Sequence, residues 1–175
     1  MSDELLARLA AAAAEGDGAA VAELVRLAQP AVWRVCAAMG SGDDVEDLVQ
    51  ETYLHALKSL PTYRSDAPVR VWLLAVARNV CADQVRRRQR QRRLIERVSR
   101  LTDVDDRSPS TGDHSSDLPR VLDGDRREAF VLTQLIGLSY EEAAAVADCA
   151  IGTIRSRVAR ARAELVEAVR IAEAR

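Results

Sequence analysis

Aromatic residues are almost missing from this chain: Phe, Trp and Tyr together make 3% of its 175 residues. The apolar content is mostly Ala, Leu and Val, without the β-branched and aromatic alternation that sheets bury, so packed helices are expected. Cysteine is equally scarce. Cys36, Cys81 and Cys149 are odd in number, far apart and without a His at ligand spacing. That excludes a zinc pattern and a disulfide framework, and each is expected to be a small buried hydrophobe. His55 and His114 are isolated, and no paired carboxylates, Gly-rich phosphate loop or nucleophile constellation is found. An enzyme, a metal site and a cofactor are therefore not expected. No apolar run approaches a bilayer span, Arg8 and Glu15 interrupt the Ala-rich start, and the basic-then-apolar order of a signal peptide is lacking. The expectation is a soluble cytoplasmic protein with no membrane insertion.

What the chain does have is charge, sorted into blocks. The net charge of −2 argues against a polyanionic partner, but it hides ten cations against three acids between Arg64 and Val98. Met1 to Tyr63 carries ten acids against four cations, and Ser99 to Asp125 seven against three. A basic block between acidic ones restores nucleic acid as a partner. Ser99 to Leu118 is rich in Ser, Asp, Pro and Gly, which predicts a flexible acidic linker between two small helical domains, 1–98 and 119–175. Four helices are predicted in the first. They run from about Asp3 to Glu15, from Ala19 to Met39 with Pro30 dividing or kinking it, from a Ser41 or Asp43 cap to Leu60, and from Asp66 and Pro68 to about Arg97.

The second domain carries the strongest local pattern. Ser139 followed three residues later by Glu142 is a capping box, and Ala143, Ala144, Val146 and Ala147 give the short helix it opens a small-residue packing surface. Asp148-Cys149-Ala150 breaks the chain before Ile151 starts a second helix. On a helical wheel Ile151, Ile154, Val158, Ala161 and Leu165 share an arc of about 80°, a narrow core-facing stripe. Thr153, Arg155, Ser156, Arg160 and Arg162 lie opposite, with no acid between Ile151 and Arg162. Taken alone this is as much a solvated basic face as a reader of DNA. Placed after a short helix and a three-residue turn, it is a helix-turn-helix whose second helix suits a major groove.

Two stripes in the first domain are open to more than one reading. Asp47, Gln50, Glu51 and Leu54 recur at spacings of three and four: the acids suit the helix N-terminus, and the stripe can equally dock a protein partner. The fourth helix begins apolar and then places six arginines between Arg86 and Arg93, a solvated run or a phosphate track. Arg78, Asn79, Asp83 and Gln84 offer base-type hydrogen-bonding groups beside that track, although Asn79 reads also as a helix-surface residue without consequence.

Together these strings resemble the extracytoplasmic-function (group IV) sigma factors of the bacterial sigma-70 family, from about Ala19 to Ala168. Asp44-Val45-Glu46-Asp47-Leu48-Val49-Gln50-Glu51-Thr52-Tyr53 is similar to region 2.2, Tyr63-Arg64 through Trp72 to Asn79 to regions 2.3 and 2.4, and Gly137 to Glu142 with Gly152 to Arg157 to region 4.2. The resemblance implies an all-α protein with a region 2 helical bundle and a region 4 helix-turn-helix. It would bind core RNA polymerase through the β′ clamp helices and the β flap, and would direct promoter-specific initiation without being an enzyme. Asp47, Gln50 and Glu51 would be polymerase contacts. Arg78, Asn79, Asp83, Arg86 and Arg87 would serve the −10 element, with Asn79 helping to hold a flipped base. Tyr140, Glu141, Thr153, Arg155, Ser156, Ala159, Arg160 and Arg162 would serve the −35 element. Arg157 would meet a backbone or polymerase rather than a base. An anti-sigma factor remains open as a further partner. Trp72 is the only aromatic between Arg64 and Val98, so weak strand opening and strict promoter demands are expected. Leu118-Pro119 departs from the family pattern by coming early. Two rivals stand beside this reading. A stand-alone DNA-binding regulator leaves the first domain unexplained, and a helical RNA-processing enzyme lacks its metal or phosphate constellation.

Overall fold

The computed structural model describes residues 3–40, 45–102 and 121–173, and every regular element among them is helical. α1 (Asp3–Ala14) and α2 (Gly18–Met39) form an antiparallel pair, and Asp17 starts the second by accepting the Ala19 and Ala20 amides at 2.8 and 3.2 Å. α2 continues through Pro30 as one unbroken helix, so the proline does not divide it. The ring supplies no N–H to the carbonyl of Arg26, and the exposed position of Pro30 lets water take that carbonyl instead. α3 (Val45–Ser59) ends in a 3-10 turn, Leu60–Thr62, at Pro61. α4 (Val69–Thr102) begins where Pro68, rather than Asp66, offers its carbonyl to the Trp72 amide at 3.0 Å. The proposed Ser41 and Asp43 caps lie outside the described residues.

α4 is longer than the sequence implied, since Ser99 to Thr102 continue it into the stretch read as linker. Polar composition alone does not end a helix, and these four residues include neither Gly nor Pro. The remainder of that stretch, with Leu118-Pro119, lies outside the described residues.

In the second domain Asp123 caps α5 (Gly124–Phe130) by accepting the Arg126 amide at 3.0 Å. The chain then widens into a π-helical turn, Val131–Leu135, closed by the Ile136 amide on the Val131 carbonyl at 2.9 Å. Gly137, at φ +78, reverses the chain into the expected Ser139–Glu142 capping box and α6 (Tyr140–Ala147). Asp148 takes the left-handed conformation at φ 50, one that Asp tolerates, and α7 (Ile151–Glu173) follows. Ile154, Val158 and Ala161 are buried as the wheel required, whereas Ile151 is exposed.

A small cluster under α1 joins Leu6, Ala10, Leu24, Leu60 and Val69. A larger one runs from Val32, Val35 and Leu74 in the first domain to Leu132, Ile154 and Val158 in the second, so the two domains share one core. Among the described glycines, Gly40 has the tightest surroundings. A Cβ there would sit 2.6 Å from the Cys36 carbonyl oxygen and 2.5 Å from Leu48 Cδ1. Gly40→Ala is expected to cost about 1–3 kcal/mol through forced backbone movement, read as a lowered melting temperature. An unchanged transition would contradict this packing.

Candidate nucleic-acid interface

α7 can present a side to DNA because its opposite edge is fixed by Ile154, Val158 and Ala161. Arg155, Ser156, Ala159, Arg160 and Arg162 are exposed, Thr153 is half-buried, and all lie away from that edge. The four arginines of its first twelve residues divide into two kinds. Arg157 is half-buried, its guanidinium bonded to Asp125 and 3.9 Å from Cys149 Sγ, which ties it to α5. Arg162 donates to Gln134 Oε1 at 2.7 Å, so the π turn orients it. Arg155 and Arg160 make no ion pair or hydrogen bond to another side chain among the described residues. Two guanidinium groups held on a rigid helix without partners are free to bond a guanine edge or a phosphate. The exposed Ser156 hydroxyl donates to the Thr153 carbonyl at 2.9 Å. On α6, Glu141 is exposed, while Tyr140 is half-buried against the shared core.

On α4 the wheel positions of Asn79, Asp83, Arg86 and Arg87 fall within about 100°, and all four are exposed. Asp83 accepts from Arg86 at 2.6 Å, and the guanidinium holds the Asp83 carboxyl below its ordinary range. Arg78 stands apart. Its Nε donates at 2.7 Å to Glu128 Oε1 of α5, and its Nη1 reaches Asn79 Oδ1 at 3.3 Å. The structure thus brings Asn79, Asp83, Arg86 and Arg87 together and commits Arg78 to the other domain.

Asp47 and Gln50 are exposed on α3 with Leu54, an open stripe above buried Leu48, Val49 and Thr52. Glu51 is half-buried and lies 3.5 Å from Arg87 and 3.8 Å from His55, which ties α3 to the basic face of α4. Cys36 and Cys81 are buried between α2 and α4, as expected of small hydrophobes. The neighbouring Cys81 thiol holds the Cys36 thiol below its ordinary value, while Cys36 and burial push Cys81 up.

Tyr63, which the sequence offers only as the start of the string resembling region 2.3, pairs with Trp72. Its ring lies 5.0 Å from that of Trp72 at an interplanar angle of 42°, and its hydroxyl donates to the Ala67 carbonyl. The pair borders a cavity of about 360 Å³ with Arg64, Asp66 and, from α6, Ala145. Tyr63 precedes the Arg64 to Val98 stretch, so only folding shows that Trp72 has an aromatic partner. Among the described residues no group of His, Cys, Asp and Glu could hold a metal, and no helix is long and apolar enough to cross a membrane.

A helical bundle with a basic face, joined to a helix-turn-helix, defines a two-domain DNA-binding class. Residues 24–91 match the family model for Sigma-70 region 2 and residues 120–165 that for Sigma-70, region 4. The chain is 41% identical over 168 residues to the ECF RNA polymerase sigma factor SigC of Mycobacterium tuberculosis, covering 94% of this chain and 91% of that one. It is 35% identical to the ECF RNA polymerase sigma factor EcfG of Rhodopseudomonas palustris, covering 72% and 71%. Among solved structures it is similar to CnrH in complex with the cytosolic domain of CnrY, with a TM-score of 0.71 and 31% identity over 93% of this chain and 96% of that one. The sigma factor RpoE of Bartonella quintana, in complex with the anti-sigma factor NepR, gives 0.68 and 31% over 85% and 96%. The chain belongs to the sigma-70 family, as an alternative sigma factor of the extracytoplasmic-function type that supports promoter-specific transcription initiation.

Proposed function

We propose that the chain divides promoter reading between its two helical faces and works in the cytoplasm as a specificity subunit without catalysis of its own. α7 reads the −35 element: Arg155 and Arg160 contact base edges, Thr153 and Ser156 assist, and Arg162, steadied by Gln134, holds phosphate. Ala159 leaves room for the groove wall, and Tyr140 and Glu141 touch the flanking backbone. α4 serves the −10 element, with Asn79 at an unstacked base, Asp83 and Arg78 beside it, and Arg86 and Arg87 on phosphate. Asp47, Gln50 and Glu51 dock core polymerase at the β′ clamp helices, and the second domain meets the β flap. An anti-sigma partner, as NepR is for the RpoE of Bartonella quintana, is consistent with this arrangement.

The observation that carries the reading is the pair Arg155 and Arg160, exposed and unpartnered on a helix whose other early arginines are engaged. The engaged Tyr63–Trp72 pair supports the expectation of weak strand opening, because rings already packed are poorly placed to stack on bases. Co-purification with core polymerase, followed by footprinting, tests the whole. Protection at both elements is expected; protection at one alone would sink the division of labour.

Gly152 gives a finer test of how closely α7 approaches DNA. No atom stands within 4 Å of a Cβ built there. Gly152→Ala is therefore expected to stabilise the fold by up to about 1 kcal/mol, through helix propensity, while lowering −35 affinity by crowding the groove. Measured by thermal melting and by duplex binding, a variant both more stable and tighter would remove the close approach.

A further inference from the structure

Among the cations assigned above to the −35 element, only Arg162 is tied down within the described residues, and the tie leads back into the core. Its Nη2 donates to Gln134 Oε1 at 2.7 Å. Gln134 Nε2 in turn donates to Thr133 Oγ1 at 3.0 Å, and that hydroxyl donates to the Ala129 carbonyl at 2.7 Å. Thr133 is buried, whereas Gln134 and Arg162 are exposed, so the chain of bonds runs from the interior to the surface. Both Thr133 and Gln134 come from the π turn, Val131–Leu135. Widened turns of this kind frequently accompany functional sites.

The order of donors fixes the direction of the amide. A hydroxyl has one proton, and that of Thr133 is engaged by Ala129, so it can only accept from Gln134. The amide must then turn its NH2 group inward, which leaves its oxygen facing Arg162. The opposite flip would set an amide N–H against a guanidinium N–H, two donors without an acceptor. A guanidinium has five N–H donors, and Gln134 takes one, so four remain for an anion. A phosphate stands at a place set by the duplex and carries no sequence information. A long side chain that meets it gains affinity from being held there in advance, because less rotamer freedom is lost on binding. Arg155 and Arg160, given to base edges, have no such tie. Resting on the assignment of Arg162 to phosphate, we infer that Thr133 and Gln134 are positioning residues for −35 binding. The π turn sets the Arg162 guanidinium in place before DNA arrives.

The test uses the full chain assembled with core polymerase. Fluorescence anisotropy with a labelled duplex carrying the footprinted −35 element reads affinity at several salt concentrations. Gln134→Ala is expected to weaken binding about three- to tenfold, the effect of no longer holding one long side chain, with the salt slope unchanged because the cation remains. Arg162→Ala, by contrast, should lower the slope by about one unit. Thr133→Val keeps Gln134 but lets its amide flip, and should give a smaller loss than Gln134→Ala. In an Arg162→Ala background, Gln134→Ala should have no further effect, since the two act as one unit. Gln134 is exposed, so its truncation should leave thermal melting nearly unmoved. A Gln134→Ala chain that binds as tightly as the parent, or more tightly, would overturn the positioning role. An equal loss with and without Arg162 would overturn it too, by marking a general effect on the fold. Parent-like binding by Thr133→Val would remove Thr133 from the relay. Failure of the phosphate reading shows separately, as an Arg162→Ala chain with parental affinity and slope.

Discussion

Arg155→Ala is expected to cut discrimination between the cognate −35 element and a single-base variant by about 1–3 kcal/mol, roughly five- to 150-fold in relative affinity. The size follows from the environment. Arg155 is exposed on a helix whose opposite edge is buried at Ile154, Val158 and Ala161, and it has no competing partner among the described residues. Nothing in the fold is lost with its guanidinium, so melting should move little. Arg162→Ala should behave differently. Its guanidinium already bonds Gln134, and a phosphate contact carries no sequence information. That variant should weaken binding to all sequences alike and lower the salt slope by about one unit. Competition binding with matched and substituted −35 duplexes separates the two. A uniform loss for Arg155→Ala with a selective loss for Arg162→Ala would reverse the assignment.

Asp47→Lys is expected to abolish holoenzyme assembly at concentrations where the parent chain assembles fully. Asp47 lies in the first turn of α3, where exchanging an acid for a cation costs the helix about 0.3–1 kcal/mol. A folded domain tolerates that loss, so a failure to assemble reports the surface rather than the fold. Reversing a charge within an interface, by contrast, costs several kcal/mol. Gel filtration with core polymerase measures it. Co-elution of the variant at parent levels would return the acidic stripe to a simple helix-terminus role.

Features set by neighbours in sequence were legible before folding. The Ser139–Glu142 capping box, the Asp148 turn and the buried edge of Ile154, Val158 and Ala161 all depend on spacings of a few residues. Features set across the chain were not. Arg157 reads as a surface arginine until α5 brings Asp125, 32 positions away, onto it. Arg78 belongs to the −10 face by pattern, yet Glu128, 50 positions on, claims it. Ile151 fits the apolar stripe but stands exposed at the end of its helix, and a wheel does not show where a partner surface stops. Docking of the two domains was hidden for a related reason. Its contacts are a backbone carbonyl, one carboxylate and ordinary apolar residues, none of which marks a surface in composition.

The central claim is that one chain reads two promoter elements on behalf of polymerase. Transcription in vitro from genomic fragments, with core polymerase, the chain, and templates altered at one element at a time, tests it most directly. Transcripts should start at defined sites only when the chain is present, and should fall when either element is changed. Unaltered transcription from core polymerase with and without the chain would contradict the account.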